Sequence, residues 1–322
     1  MKNWIQKQSQ NISLIVVIVI LIIVFTMLQP NMLTLFNIKN ILVQVSLTAI
    51  AGAGMTFAYT AGVFDMSIGS MLALTSIIIA KVVTTWGLFP AILISIAIAV
   101  LVGLFNGLIV TKLNIQPFAA TLVTMILLRG CAMLMSQGAD ISLYTFSEVK
   151  FISSGSILGV PFPVVLMILV YVIAFFIYYE TELGMQMRSV GSNSTSAKIS
   201  GINTDKIVSI AFVMTALTTV MASFIKTAQV MFGKSSIGED FPLSIMTVTI
   251  LGGTLVTGGY GNLAGTLISA ILIAVIKNGL NINNVNSYYQ DLVIGTILVL
   301  ALVFNGIKTL REERRIKSEG QQ

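Results

Sequence analysis

Long runs without a charged residue restrict most strongly how this chain can fold. Such runs cover residues 8–38, 40–64, 82–111, 151–179 and 241–276, and the chain is 56% apolar and only 9% charged. A soluble domain carries roughly 25% charged residues. A helical crossing of a bilayer needs about 20 predominantly apolar residues. The sequence therefore excludes a soluble globular protein and predicts an all-α polytopic membrane protein.

The apolar segments divide into about ten predicted transmembrane helices. They lie near residues 12–29, 38–61, 66–83, 88–111, 117–137, 161–179, 206–227, 242–257, 261–280 and 288–307. Ten crossings put both termini on one side. That side would hold 11 Lys and Arg residues against six on the other, with Arg129 inside a span. Because basic loops stay in the cytoplasm, both termini are predicted to be cytoplasmic.

The side chains that most catalytic and metal sites require are scarce. The chain has no histidine and a single cysteine, Cys131. Zinc, haem and iron–sulfur sites, a histidine-based triad and an intrachain disulfide are therefore excluded. We expect Cys131 to be a small buried residue of an apolar span. An enzyme is not expected, and no feature favours nucleic acid as a partner.

Two glycine-containing segments resemble each other. Residues 62–70 and 258–266 both read G-x-aromatic-x-x-x-x-G-hydroxyl, each between two apolar segments. Transporters are often built from weak internal repeats with polar breaks near the membrane midplane. Chance similarity between two glycine-rich turns is the alternative. The helix count places the two copies in parallel orientation, and they would be inverted if one segment were re-entrant.

Polar side chains within or beside the spans are candidates for a translocation pathway. Asp65 and Arg129 are the ionisable residues nearest the hydrocarbon. Placing a charged side chain at its centre costs roughly 2.5–3.5 kcal/mol, so such side chains face protein or water. They either line a polar pathway or sit at helix ends. Uncharged amides and hydroxyls suit a neutral, hydroxyl-rich solute, and equally suit bonds between helices. The residues assigned to a pathway or gate are Asp65, Ser67, Asn106, Phe118, Thr121, Arg129, Tyr260, Asn262 and Asn278.

Residues 180–205 form the longest predicted internal loop. Gly191 and Gly201 bracket a possible short helix that begins near Asn193. Such a helix would lie across the membrane surface and could dock on a soluble partner. A plain solvated connector is the alternative.

Six segments, in order along nearly the whole chain, resemble the ribose-type permease family of bacterial ABC importers. They are residues 31–56, 62–74, 116–130, 184–202, 251–265 and 278–290. The family usually shows G-G-I-D-L-S-V-G where this chain has G-V-F-D-M-S-I-G at residues 62–69. It usually shows G-G-N where this chain has Gly191-Ser192-Asn193.

The resemblance implies an ABC importer permease fold, with residues 1–322 as a single transmembrane permease domain in the bacterial cytoplasmic membrane. Residues 1–11, the coupling loop 180–205 and the basic tail 308–322 would be cytoplasmic. The implied partners are a second permease copy or paralogue, an extracytoplasmic sugar-binding protein and a cytoplasmic ABC ATPase. ATP would bind to that separate ATPase, so no cofactor is expected on this chain. The implied ATPase-coupling residues are Gly184, Arg188, Gly191, Asn193, Ala197 and Gly201.

These features predict a permease subunit that forms the pathway for ribose or a related monosaccharide. A self-sufficient ion-coupled carrier is the main alternative, and it rests on Asp65, Arg129 and the repeat. A permease for a nucleoside or a branched-chain amino acid would look similar in outline. An intramembrane enzyme is disfavoured because the spans lack histidine and obvious carboxylate pairs.

Overall fold

Helices make up most of the chain in the computed structural model, which describes residues 2–319 and the side chains of residues 11–303. A 3₁₀ turn lies at Pro30–Leu33 and a π-helical turn at Phe176–Glu180. The α-helices are α1 (Lys2–Leu28), α2 (Leu35–Thr60), α3 (Ile68–Trp86), α4 (Leu88–Lys112), α5 (Pro117–Ser136), α6 (Ser147–Ser154), α7 (Phe162–Phe175), α8 (Glu182–Ser192), α9 (Ser194–Ile199), α10 (Thr204–Val230), α11 (Phe241–Leu251), α12 (Leu263–Ile282) and α13 (Ser287–Glu319).

Each of the ten predicted transmembrane segments corresponds to a helix in the described chain: α1 to α5, α7 and α10 to α13. Eight of these helices, counted over the described residues, are long and apolar enough to cross a membrane. Helix α11 and the apolar part of α13 are shorter. The all-α polytopic fold is therefore confirmed.

Helix α11 is shorter than the predicted span 242–257, because it ends at Leu251. Its 11 residues rise about 16 Å, roughly half of the hydrocarbon core. At its end, a Cβ on Gly252 would lie 2.5 Å from the backbone nitrogen of Thr266, so α11 abuts the start of α12. Gly253 then takes a φ of +88°, a conformation that glycine adopts without steric cost. The chain reaches α12 through an irregular segment instead of a longer helix.

Helices α2 and α3 lie at the centre of the bundle. Their most apolar windows are 67% and 78% buried, against 11% for α1 and 22% for α4. Helix α4 packs closely on α10 through Gly103 and Gly107. A Cβ at these positions would lie 2.5 Å from the Cα of Val213 and 2.7 Å from the Cα of Ser209. The G-x-x-x-G spacing thus lets two backbones approach, as small residues do between membrane helices.

Helix α12 runs antiparallel to α2. Asn37, near the start of α2, exchanges 2.9 Å hydrogen bonds with Asn278, near the end of α12. Thr56, near the end of α2, lies 2.9 Å from Thr266, near the start of α12. Both repeat turns therefore lie at the same end of the bundle. The two copies run parallel, which is the orientation that the helix count predicts.

The two ends of the bundle carry different structures. At the end with the repeat turns, α8 and α9 connect α7 to α10. At the other end, β1 (Ile141–Ser142) pairs antiparallel with β4 (Phe232–Gly233), and β2 (Ser156–Ile157) pairs with β3 (Val160–Pro161). The β1–β4 pair joins the segment after α5 to the segment after α10, so these two long connections form one surface.

Cys131 is exposed, so the expectation that it is buried was wrong. It lies on α5, whose most apolar window is only 28% buried. An apolar sequence around a residue in a membrane helix therefore did not indicate burial within the protein.

Candidate coupling and translocation site

Helix α9 is the short helix that the glycine and asparagine pattern predicts. Asn193 is its N-cap, and the side-chain oxygen accepts a hydrogen bond from the Ser196 nitrogen at 2.9 Å. At the other end Gly201 has a φ of +86°. The Gly201 nitrogen donates to the Lys198 carbonyl and the Ile202 nitrogen to the Ala197 carbonyl. This pair of bonds is a Schellman motif, which requires a left-handed residue at the position of the glycine.

Most of α9 faces outward, away from the bundle. Ala197 is its one buried residue and fixes it to the protein. Ile199 is 83% exposed, and Met185 on the neighbouring α8 is 54% exposed. A short, capped helix with exposed apolar side chains at one end of a bundle is suited to contact another protein.

Gly191 of α8 fits against the backbones of both repeat turns. A Cβ there would overlap the Thr60 carbonyl oxygen and lie 2.5 Å from the Gly259 nitrogen. That nitrogen donates a 3.0 Å hydrogen bond to the same Thr60 oxygen, so the two turns are also bonded to each other. A Cβ on Gly258 would lie 2.9 Å from the Gly62 Cα. We call Gly62, Gly191, Gly258 and Gly259 the glycine junction, because they join α8 to both copies of the repeat.

Tyr178, in the π-helical turn, is a second connection between α8 and the repeat. Its hydroxyl oxygen accepts a 2.8 Å hydrogen bond from the Gly261 nitrogen. The Arg188 guanidinium donates to the Tyr178 carbonyl and lies 5.0 Å from the ring centroid. A Cβ on Gly184 would overlap the same carbonyl. Tyr178 was not predicted as a site residue, because a tyrosine at the end of a span usually indicates only an interfacial anchor.

Asp65, Ser67 and Asn106 lie together, and the structure adds Thr124 to them. The Asp65 carboxylate accepts hydrogen bonds from the Ser67 nitrogen at 2.8 Å and the Ser67 hydroxyl at 2.5 Å. The Asn106 amide donates to Asp65 at 3.4 Å and to the Ser67 hydroxyl at 3.1 Å, and accepts from the Thr124 hydroxyl at 2.7 Å. All four residues are buried. The cluster fixes the turn between α2 and α3 to α4 and α5.

Phe118 and Thr121 lie near the start of α5. Phe64, in the first repeat turn, stacks between Tyr59 and Phe118, with centroid distances of 6.0 Å and 5.7 Å. The Thr121 hydroxyl donates to the Pro117 carbonyl of its own helix. These contacts hold the start of α5 against the repeat turn.

Arg129 holds the segment that precedes α11 against α5. Its guanidinium donates to the carbonyl oxygens of Ser235 and Ile237, the latter at 2.9 Å. It also lines a cavity of about 470 Å³ with Ser70 and Glu239. Arg129 is therefore close to a cavity, whereas Asp65 lies in a different cluster.

Tyr260 and Asn262 organise the second repeat turn. The Tyr260 carbonyl accepts a 3.0 Å hydrogen bond from the Leu255 nitrogen. Asn262 is the N-cap of α12, and its side chain accepts from the Gly265 nitrogen at 3.0 Å and donates to the Gly252 carbonyl at 2.8 Å. Asn262 thereby ties the end of α11 to the start of α12.

Asn278 lines a cavity at the opposite end of the bundle from α8 and α9. This cavity of about 660 Å³, which we call the amide cavity, lies beside the start of α2 and the end of α12. Asn278 and its partner Asn37 are buried at its lining. Among residues 11–303, eight carboxamide side chains line it: Asn31, Asn37, Asn40, Gln44, Gln229, Asn278, Asn281 and Asn284.

The nine predicted pathway residues therefore do not form one continuous lining. They lie in five places: the Asp65 cluster, the start of α5 with Phe118 and Thr121, the Arg129 cavity, the second repeat turn and the amide cavity. Their role in translocation stays a prediction. Among the described side chains, no group of three or more His, Cys, Asp or Glu could hold a metal ion.

Comparison with known proteins gives a consistent result. Residues 37–302 match the family described as branched-chain amino acid transport system / permease component. The chain is 35% identical to the ribose import permease protein of Escherichia coli (strain K12), over 95% of this chain and 96% of that one. It is 33% identical to the ribose import permease protein of Bacillus subtilis (strain 168), over 89% and 90% of the two chains. The D-allose transport system permease protein of Escherichia coli (strain K12) is 30% identical over 88% and 87%. No solved structure matches significantly.

Proposed function

Because this chain belongs to the ABC importer permease family, whose members include ribose import permeases, we propose that it is the membrane subunit of a monosaccharide importer. The similarity to the ribose import permeases over almost the whole chain carries the proposal. We propose ribose or a closely related sugar as the solute. The chain itself would form the pathway and carry out no hydrolysis.

ATP hydrolysis would take place on a separate cytoplasmic ABC ATPase that docks on α8 and α9. The exposed Ile199 and Met185 would contact it. Gly184, Arg188 and Gly191 face the protein interior instead, so they would connect the docking surface to the repeat turns. A movement of the ATPase could in this way reach α2, α3 and α12 directly.

Two further partners complete the proposed importer. A second permease copy or paralogue would lie beside this chain, and an extracytoplasmic binding protein would deliver the sugar. The delivery surface would be the end with the β1–β4 pair, because it lies opposite α8 and α9. Both termini would then lie in the cytoplasm.

The ion-coupled carrier has less support from the geometry. Its two candidate residues, Asp65 and Arg129, bond to neutral groups in separate places. The cluster around Asp65 fixes a turn, and Arg129 fixes the segment before α11. Asp65 and Arg129 do not form a charge pair with each other, and the acidic residue that shares the cavity of Arg129 is Glu239.

Isolation from the native membrane followed by reconstitution tests the proposal. The tagged chain should co-purify with an ABC ATPase in stoichiometric amounts. Proteoliposomes containing the complex should take up ribose only with ATP and the sugar-loaded binding protein. ATP-independent uptake by this chain alone, driven by an ion gradient, would overturn the proposal.

A further inference from the structure

We propose that the amide cavity binds a monosaccharide as it enters the bundle from the side opposite α8 and α9. The inference rests on the proposed function and deepens it by assigning a solute site. Its first support is the chemistry of the lining. No charged side chain is present among the described residues that line the cavity.

Carboxamides match the hydroxyl groups of a sugar. Each Asn or Gln side chain offers two N–H donors and a carbonyl acceptor, and each sugar hydroxyl both donates and accepts. A ring of such groups can satisfy several hydroxyls without a fixed charge. A cation would find amide N–H groups competing with the carbonyls, and an anion would find no basic partner.

Several of these amides have no competing bond within the protein. Gln44 is half-buried, and Asn40 and Asn281 are exposed. None of these three side chains makes a hydrogen bond to another residue in the described part of the chain. Asn37 and Asn278, by contrast, satisfy each other at 2.9 Å and form a fixed part of the wall. The open amides are thus available to a solute, while the paired ones hold the wall in shape.

The size of the cavity also fits a small solute. Its volume of about 660 Å³ lies within the range of about 300–1,000 Å³ typical of small-molecule sites. Such sites are usually mostly apolar and enclosed, whereas this one is polar and reaches exposed side chains. Weak, reversible binding is the consequence, and it suits a solute that must move on.

The position of the cavity connects it to the coupling end. Asn40 and Gln44 belong to α2, whose last residue Thr60 contacts the glycine junction. Asn278 and Asn281 belong to α12, whose start is capped by Asn262 in the second repeat turn. Two of the helices that line the cavity, α2 and α12, therefore also reach the glycine junction or the turn that carries it.

Cysteine labelling in whole cells tests the site, because the chain contains only Cys131. In a Cys131→Ser background, Gln44→Cys and Asn281→Cys are each exposed to a membrane-impermeant maleimide in the presence of ribose, allose, arabinose or leucine. Ser147→Cys is the control, because Ser147 is exposed at the same end on α6, outside the cavity lining. Sugar uptake is measured in the same cells.

We expect at least one sugar to slow labelling of both cavity variants by about threefold, as occupancy of the site requires. Leucine should have no effect, and Ser147→Cys should label equally in all conditions. Failure of every sugar to protect either variant, in cells that import sugar, overturns the cavity assignment alone. Equal protection by leucine overturns the sugar specificity. Absence of ATP-dependent sugar uptake by the Cys131→Ser complex would instead count against the proposed function.

Discussion

A single added methyl group is enough to test the glycine junction. Gly191→Ala would place a Cβ against the carbonyl oxygen of Thr60 and the nitrogen of Gly259. Overpacking of this kind costs about 1–3 kcal/mol of stability. To relieve it, α8 must move away from both repeat turns. We expect ribose uptake to fall about tenfold, the equivalent of 1.4 kcal/mol, while the ATPase still co-purifies.

Gly295→Ala is the matched control for this substitution. Gly295 lies on α13, outside both cavity linings, and a Cβ there would meet no atom within 4 Å. Alanine is also the better helix former, by up to about 1 kcal/mol. Uptake should therefore be unchanged. Normal uptake by Gly191→Ala would show that the junction tolerates separation and plays no part in coupling.

The Asn37–Asn278 pair predicts a measurable interaction energy. Asn37→Leu or Asn278→Leu leaves the other buried amide without its partner, at a cost of about 1–3 kcal/mol in the free energy of unfolding. The loss of unfolding free energy in the double variant should be smaller than the sum of the two single losses by about 0.5–3 kcal/mol. Unfolding in detergent measures all four proteins of the cycle.

A distant pair gives the reference for that cycle. Asn106 belongs to the Asp65 cluster, and the described side-chain hydrogen bonds of Asn106 and Asn37 share no partner. The effects of Asn37→Leu and Asn106→Leu on the free energy of unfolding should add to within about 0.5 kcal/mol. If the Asn37–Asn278 cycle is equally additive, the two amides do not stabilise one another.

For individual residues, the sequence could predict those features whose cause is local. Asn193 and Gly201 were identified because a cap and a left-handed glycine act within one helical turn. Tyr178, Thr124 and Asn37 were not assigned to any site. Their partners are distant in sequence: Asn37, for example, bonds to a residue 241 positions away. Neither periodicity nor local propensity contains that information.

At the scale of a single element, α9 is expected to act as a docking helix. Ile199→Asn removes a side chain that is 83% exposed, so the stability of the chain should be unchanged. If Ile199 contacts the ATPase, its loss should reduce ATPase co-purification about tenfold, as central apolar anchors of interfaces do. Quantitative mass spectrometry of the purified complex measures the ratio.

Leu113→Asn is the control for α9. Leu113 is 65% exposed and caps α4 at the same end of the bundle, so it is comparable in exposure but outside α8 and α9. It should leave ATPase binding intact. Equal loss in both variants would indicate a general surface effect, and no loss in Ile199→Asn would remove α9 from the interface.

The boundaries of the elements were predictable to different degrees. Hydropathy located the ten membrane helices because a helix forms all its backbone hydrogen bonds within itself. Its side chains must then be apolar where they face lipid or protein. It failed at α11, where the apolar composition continues beyond Leu251 but the helix does not. Close packing of Gly252 on α12 ends the helix, and a tertiary contact of that kind leaves no hydropathy signal.

At the scale of the whole molecule, α2 and α12 connect the two ends of the bundle. At one end they line the amide cavity, and at the other they adjoin the turns that contact Gly191. The sequence repeat indicated two glycine-containing turns, and in both of them the first glycine, Gly62 or Gly258, has a positive φ. It could not indicate that the turns touch each other and share one glycine of α8, because that depends on how the copies pack.

The orientation of the whole chain gives the last prediction. With ten crossings, the side that carries α8 and α9 has 11 Lys and Arg residues against six on the other, so it should be cytoplasmic. In a Cys131→Ser background, a membrane-impermeant maleimide should label Ser147→Cys in intact cells. Ser196→Cys, on the exposed surface of α9, should react only after the membrane is permeabilised. Both serines are exposed and the substitution is nearly isosteric, so each variant serves as the other's control for folding and reactivity. The reverse pattern would place the docking helix outside the cell, where no ATP-dependent partner could act on it.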